Sequence, residues 1–185
     1  MKFNFRLNED IDDTSEDTPE FDSVGNELTI EQSEFFKNSV VRNQTGRLIV
    51  CYHGSDNDRR YDTIDTNKSS YSTPSSYFSD SLSFAISFSQ RYENNGNVYE
   101  CYLNITNPLF IDARGKDFYS VPLNGESLHI SDVAKYAYER NYDGVIVKNI
   151  KEYGNNIVTD FITFRNNQIK LISNKNPTNS ENMNE

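Results

Sequence analysis

From Arg47 to His53 the chain reads RLIVCYH, and period-two alternation sets Ile49, Cys51 and His53 on one face of a predicted strand. The same alternation returns in NVYECYLNIT (97–106), where Tyr99, Cys101, Leu103 and Ile105 share a face and Pro108 stops the run. DGVIVKNI (143–150), IVTDFITF (157–164) and QIKLI (168–172) read as further strands, and Tyr77 with Phe78 opens a short element. Three segments carry a helical period instead. LTIEQSEFFKNSVVRN (28–43) places Ile30, Phe35, Phe36 and Val40 roughly on one side, behind a Thr29–Gln32 capping box. DSLSFAISFSQRY (80–92) lines up Leu82, Ala85, Ile86 and Ser89 behind Asp80 or Ser81, and a third helix is predicted from a Ser131 cap to about Asn141. Strands adjoin one another more often than they alternate with helices, which predicts an α+β fold over a doubly wound sheet. Residues 57–76, NDRRYDTIDTNKSSYSTPSS, follow no period and read as a long loop, of the kind that serves a site in a compact domain.

Two polar residues break the apolar faces. On the face of Val158, Asp160, Ile162 and Phe164, only Asp160 is polar, and burying an ionised carboxylate costs several kcal/mol unless it is paired or faces a cleft. His53 ends the face of Ile49 and Cys51 in the same way, followed at once by Gly54 and Ser55. Each alone has an ordinary explanation, a satisfied core histidine or a strand-end cap. Together they point to a cleft without naming a reaction.

Charge divides the chain. Residues 1–35 hold eleven acids against Lys2 and Arg6, while the other 150 residues carry 17 acids and 16 bases. The sequence therefore predicts an acidic, disordered tail over 1–27, one domain over 28–172 and a polar, Asn-rich tail over 173–185. A near-neutral body lacks the basic surplus that nucleic-acid backbones attract, although a local basic groove stays open. Cys51 and Cys101 fall in apolar runs and read as reduced core thiols, with no spacing suited to a metal. No apolar run is long enough for a standard secretion signal or a membrane span, which fits a cytosolic setting.

YHGS (52–55), SSYFSDSLSFAISF (75–88) and TDFITFRNNQIKLI (159–172), in this order and spacing, resemble the signature segments of diphtheria-toxin-type and poly(ADP-ribose)-polymerase-type ADP-ribosyltransferases. EQSEFFKNSVVRNQTGRLIVCYHGS, VYECYLNITNPLFID and AYERNYDGVIVKN extend the likeness to the compact transferase module of phage and mobile-element polyvalent proteins. The resemblance covers about 28–172. It implies two packed, mostly antiparallel sheets with a few helices around an NAD cleft, NAD as substrate, and no metal. It also implies mono-ADP-ribosyl transfer to a macromolecular acceptor, a protein in the first place and nucleic acid less readily. A phage or bacterial cytoplasm, or delivery into a host cell, suits such a module, as does an antitoxin or immunity partner.

The resemblance assigns roles to residues. His53 would bond the adenosine-side ribose, Gly54 would let backbone approach the nicotinamide carboxamide, and Ser55 would add a hydroxyl there. Tyr77 would stack on the nicotinamide ring with Phe88 as its second aromatic, against the plainer reading of each as a turn or core aromatic. Asp160 takes the place of a residue that is commonly glutamate, and would grip the 2′-hydroxyl beside the developing sugar cation. It is shorter by one methylene, roughly 1.5 Å, so three outcomes stand: a closer strand and full activity, a slow enzyme, or a module that binds NAD or a partner without transfer. Glu152, eight residues earlier, is a remote substitute. Gln168 is expected to bond structurally, Arg59 and Arg60 to be a solvated pair or to meet the pyrophosphate, and His129 to decorate the surface.

Overall fold

The strands are β1 (Cys51–Ser55), β2 (Ser76–Ser79), β3 (Asn97–Leu103), β4 (Pro108–Asp112), β5 (Val121–Leu123), β6 (Glu126–Leu128), β7 (Gly144–Lys151), β8 (Ile157–Thr163) and β9 (Ile169–Leu171), of which β4, β5 and β6 lie outside the predicted segments and β4 opens on Pro108. The helices are α1 (Ile30–Phe36), α2 (Leu82–Ser89) and α3 (Ile130–Glu139). The computed structural model describes residues 19–91 and 96–173. Seven strands form one sheet in the order β4-β7-β8-β2-β1-β3-β9, antiparallel except for β4 on β7, and β5 pairs with β6 beside it. This is the expected α+β class.

The expected pair of sheets is one continuous sheet that curls. Ile105, just past β3, lies against Gly144 of β7, although four strand intervals separate β3 from β7, about 19 Å if the sheet were flat. The two halves, β4-β7-β8-β2 and β1-β3-β9, are joined in the ladder by the single register pair Tyr52↔Ser79 of β1 and β2. Alternation then sorts the core. Cys51, Tyr99, Cys101 and Leu103 join Phe78, Ile146 and Phe161 in one cluster. Val145, Val147, Val158 and Ile162 turn the other way, toward Val133, Ala134 and Ala137 of α3. Val50 and Tyr102 face Phe36 of α1. Cys51 and Cys101 are register partners, both buried and both free thiols.

Local chemistry corrects several boundaries. The first helix closes at Phe36 instead of running to residue 43. Past Phe36 the chain is drawn to the end of β3 and the residues after it: Ser39 Oγ donates to the Leu103 carbonyl at 2.6 Å, Val40 N to the Ile105 carbonyl at 2.8 Å, and Arg42 Nη2 caps the Phe36 carbonyl at 3.0 Å. The Thr29–Gln32 capping box is present. His129, not Ser131, is the N-cap of α3, its Nδ1 accepting from Ser131 N at 3.1 Å and meeting Ser131 Oγ at 2.7 Å. Packed structure also begins before residue 28. Asp22 is fully buried and accepts from Tyr102 Oη at 2.7 Å and from the backbone amides of Val24 and Asn26. The remaining tail segments, 1–18 and 174–185, lie outside the described residues. Among those described, no helix is long and apolar enough to cross a membrane.

Candidate functional site

Just beyond the lone Tyr52↔Ser79 pair, β1 and β2 separate, and a cleft of about 520 Å³ opens there, a volume typical of small-molecule sites. His53, Gly54, Ser55, Tyr77, Phe88 and Asp160 all line it, although more than a hundred residues separate the first from the last. They arrive from different faces. His53 follows Cys51 on the inner face and lies 5.4 Å from the Phe78 ring and 6.1 Å from the Tyr99 ring, centroid to centroid. Tyr77 and Asp160 belong to the face that α3 covers.

His53 Nδ1 stands 2.8 Å from the Tyr77 carbonyl oxygen. A carbonyl can only accept, so Nδ1 carries the proton and the neutral ring keeps a lone pair on Nε2. Burial lowers the imidazole pKa, partly offset by that backbone bond, and so favours this neutral form. The imidazole thereby bridges the strands where their ladder ends.

Gly54 proves to have a packing reason of its own. A Cβ there would fall 2.3 Å from the Ala85 backbone oxygen of α2, so the absence of a side chain lets the helix lie directly on β1. That helix carries Phe84, Ala85 and Phe88 to the cleft. Phe88 is half-buried, with the Arg91 guanidinium 3.9 Å from its ring centroid. Tyr77 is edge-on to Tyr71 at 5.6 Å. Its hydroxyl is buried, and the neighbouring Ser75 hydroxyl does not complete a hydrogen bond of ordinary geometry. Burial pushes this phenol's pKa far up, so it stays neutral.

Asp160 is 6 % exposed, and its Oδ1 is buried with no N–H or O–H donor. Burial, the adjacent Glu152 carboxyl and the Asp80 charge hold its pKa well above the usual carboxylate range. Glu152, itself 8 % exposed, lines the same cleft beside Asp160, and burial raises its carboxyl pKa too. The sequence places Glu152 in a Gly- and Asn-containing loop past the predicted strand 143–150, and strict alternation from Val147 would put it on the face opposite Asp160. A register shift between Val147 and Ile150 adds one residue, turning Ile150 and then Glu152 to the side of Asp160. The signal was Asn149, whose φ of 55° few other side chains tolerate.

The remaining candidates divide. Lys68 and Arg91 line the cleft, whereas the Arg60 guanidinium lies 6.0 Å from the Tyr99 ring centroid. The 57–76 segment contributes Tyr61, Ile64, Lys68 and Tyr71 to the wall. It is tied down at Thr66, whose N and Oγ1 bond Asn166 Oδ1 at 2.8 and 2.9 Å. Gln168 is buried; its Oε1 accepts from Phe164 N and Arg165 N, and its Nε2 donates to the Asn104 and Asp143 carbonyls. His129, expected on the surface, is half-buried and packs with Tyr71, Phe118 and Tyr119 near the cleft mouth. Among the described residues, no group of three His, Cys, Asp or Glu side chains is arranged to hold a metal ion.

A family model described as ADP-ribosyltransferase in polyvalent proteins matches residues 43–179. None of the curated proteins matches the chain.

Proposed function

Because the chain belongs to the family of ADP-ribosyltransferases found in polyvalent proteins, we propose that it is an NAD-dependent mono-ADP-ribosyltransferase, moving ADP-ribose to a protein acceptor and releasing nicotinamide. The observation that carries this reading is the convergence of His53, Tyr77 and Asp160 on one cleft that holds two buried polar atoms without partners, Tyr77 Oη and Asp160 Oδ1. Buried polar groups left unbonded are costly, and a polyhydroxyl ligand with a carboxamide supplies what they lack.

In this reading the lone pair on His53 Nε2 accepts from a ribose hydroxyl, and the backbone at Gly54 with the Ser55 hydroxyl meets the carboxamide. Tyr77 and Phe88 offer ring faces to the nicotinamide. Lys68 and Arg91, rather than Arg59 and Arg60, are the cations placed to meet the pyrophosphate. NAD supplies a leaving group that departs neutral from a sugar carbon on which positive charge gathers. Little proton donation is required from the protein. Asp160 grips the 2′-hydroxyl and faces the growing charge, an attraction of about 4 kcal/mol at roughly 4 Å and an effective dielectric near 20.

Incubation with labelled NAD, comparing the wild type with Asp160→Ala, tests the proposal. Wild type is expected to release nicotinamide and label protein, with the variant slower by about a hundred- to a thousand-fold. The shorter reach of aspartate favours a second reading, a module that holds NAD without transfer. Retained NAD with equal silence from both proteins would establish that reading instead.

A further inference from the structure

Two carboxylates side by side at low dielectric repel each other, so one of them keeps a proton. Glu152 and Asp160 are neighbours of this kind, both more than nine-tenths buried on the wall of the cleft. We propose, building on the transferase reading, that Glu152 and Asp160 form one acidic unit that holds a single proton until a cation enters the cleft, Asp160 keeping it and Glu152 carrying the charge.

The surroundings assign the proton. Asp160 is the deeper of the two, and its Oδ1 has no donor to stabilise an ionised form. Glu152 sits at the start of the turn Tyr153–Asn155, where the Tyr153 backbone amide supports its charge. Asp80 from the β2–α2 turn acts on Asp160, and Asp117 from the segment before β5 acts on Glu152, both as negative charges. Tyr77, beside Asp160, is neutral and feels the charge of Asp132 on α3, while Lys68 and Arg91 line the cleft elsewhere. A second ionisation would set two carboxylates against each other at low dielectric. A pyridinium entering the cleft removes that obstacle, and the proton leaves to solvent. The arrangement also offsets the methylene that aspartate lacks, since the longer glutamate stands next to it carrying the charge.

Site-resolved carbon NMR of the two carboxyls in the ligand-free protein tests the pair without reference to activity. The wild type is expected to keep Asp160 protonated at neutral pH. Glu152→Gln should lower its titration midpoint by about one pH unit or more, because the like charge is gone. An Asp160 that is ionised at neutral pH in the wild type, or titrates identically in the variant, overturns the proposal. Calorimetry of NAD binding in two buffers of different ionisation enthalpy reads the linked proton: about one released per NAD by wild type, and a smaller fraction by Glu152→Gln, whose Asp160 titrates lower. Equal release by the two proteins also overturns it. If NAD fails to bind at all, the transferase reading falls, while the carboxyl titration still decides whether the pair exists.

Discussion

At Gly54 the backbone of α2 occupies the space that any side chain would need. The nearest atoms are the oxygen, carbonyl carbon and Cα of Ala85, none of which can swing aside. Gly54→Ala must therefore lift the helix from β1, at a cost of about 1–3 kcal/mol. Urea denaturation should register the loss, and nicotinamide release should fall with it because Phe84 and Phe88 move with the helix. Asp160 makes a prediction of the opposite kind. Its carboxyl pKa is raised in the folded state, chiefly by burial. Protonation-linked stability is then fully present below the unfolded value near 3.9 and is lost as pH rises through the folded value. Asp160→Asn does not titrate, so the wild type should lose stability relative to this variant as pH climbs above about 4. Parallel urea midpoints across that range would contradict the raised pKa.

At the scale of elements, the β7–β8 hairpin decides which acids meet. Asn149 takes the left-handed conformation at the register shift, where its Nδ2 donates to Asp112 Oδ1 at 3.0 Å and its carbonyl accepts from Gly115 N at 2.8 Å. A β-branched residue is poorly suited to that backbone. Asn149→Val is expected to cost about 1–2 kcal/mol or more and to shift Glu152 relative to Asp160. Thermal melting reports the first effect. A slowed nicotinamide release at temperatures where the variant is fully folded reports the second, and unchanged release would mean that the bulge has no part in the site.

At the scale of the molecule, the curl of the sheet is closed by Gln168. Its amide ties Asn104, just after β3, to Asp143, just before β7, and to the backbone after β8. Gln168→Leu would leave two buried N–H groups and two carbonyls without their partner. At about 1–3 kcal/mol for each buried polar group left unmade, a loss of about 3 kcal/mol or more is expected in urea unfolding. A loss below about 1 kcal/mol would mean that the curl is held elsewhere.

Alternation along the strands, the Thr29–Gln32 cap and the helical period of residues 80–92 were sufficient to predict the α+β class and the faces of His53 and Asp160, because these depend on neighbours only a few residues away. The signature segments were enough to point to the transferase family. Several features depended on contacts across the chain. The bonds from Ser39 and Val40 to Leu103 and Ile105 ended the first helix, the bond from Tyr102 to Asp22 fixed that aspartate in the core ahead of residue 28, and the curl made one sheet of the expected two. The partnership of Glu152 with Asp160 was the least visible, since one extra residue in β7 reverses every face that follows it. Periodicity assigns a side chain to a side of its own strand; only the packed chain decides what stands opposite.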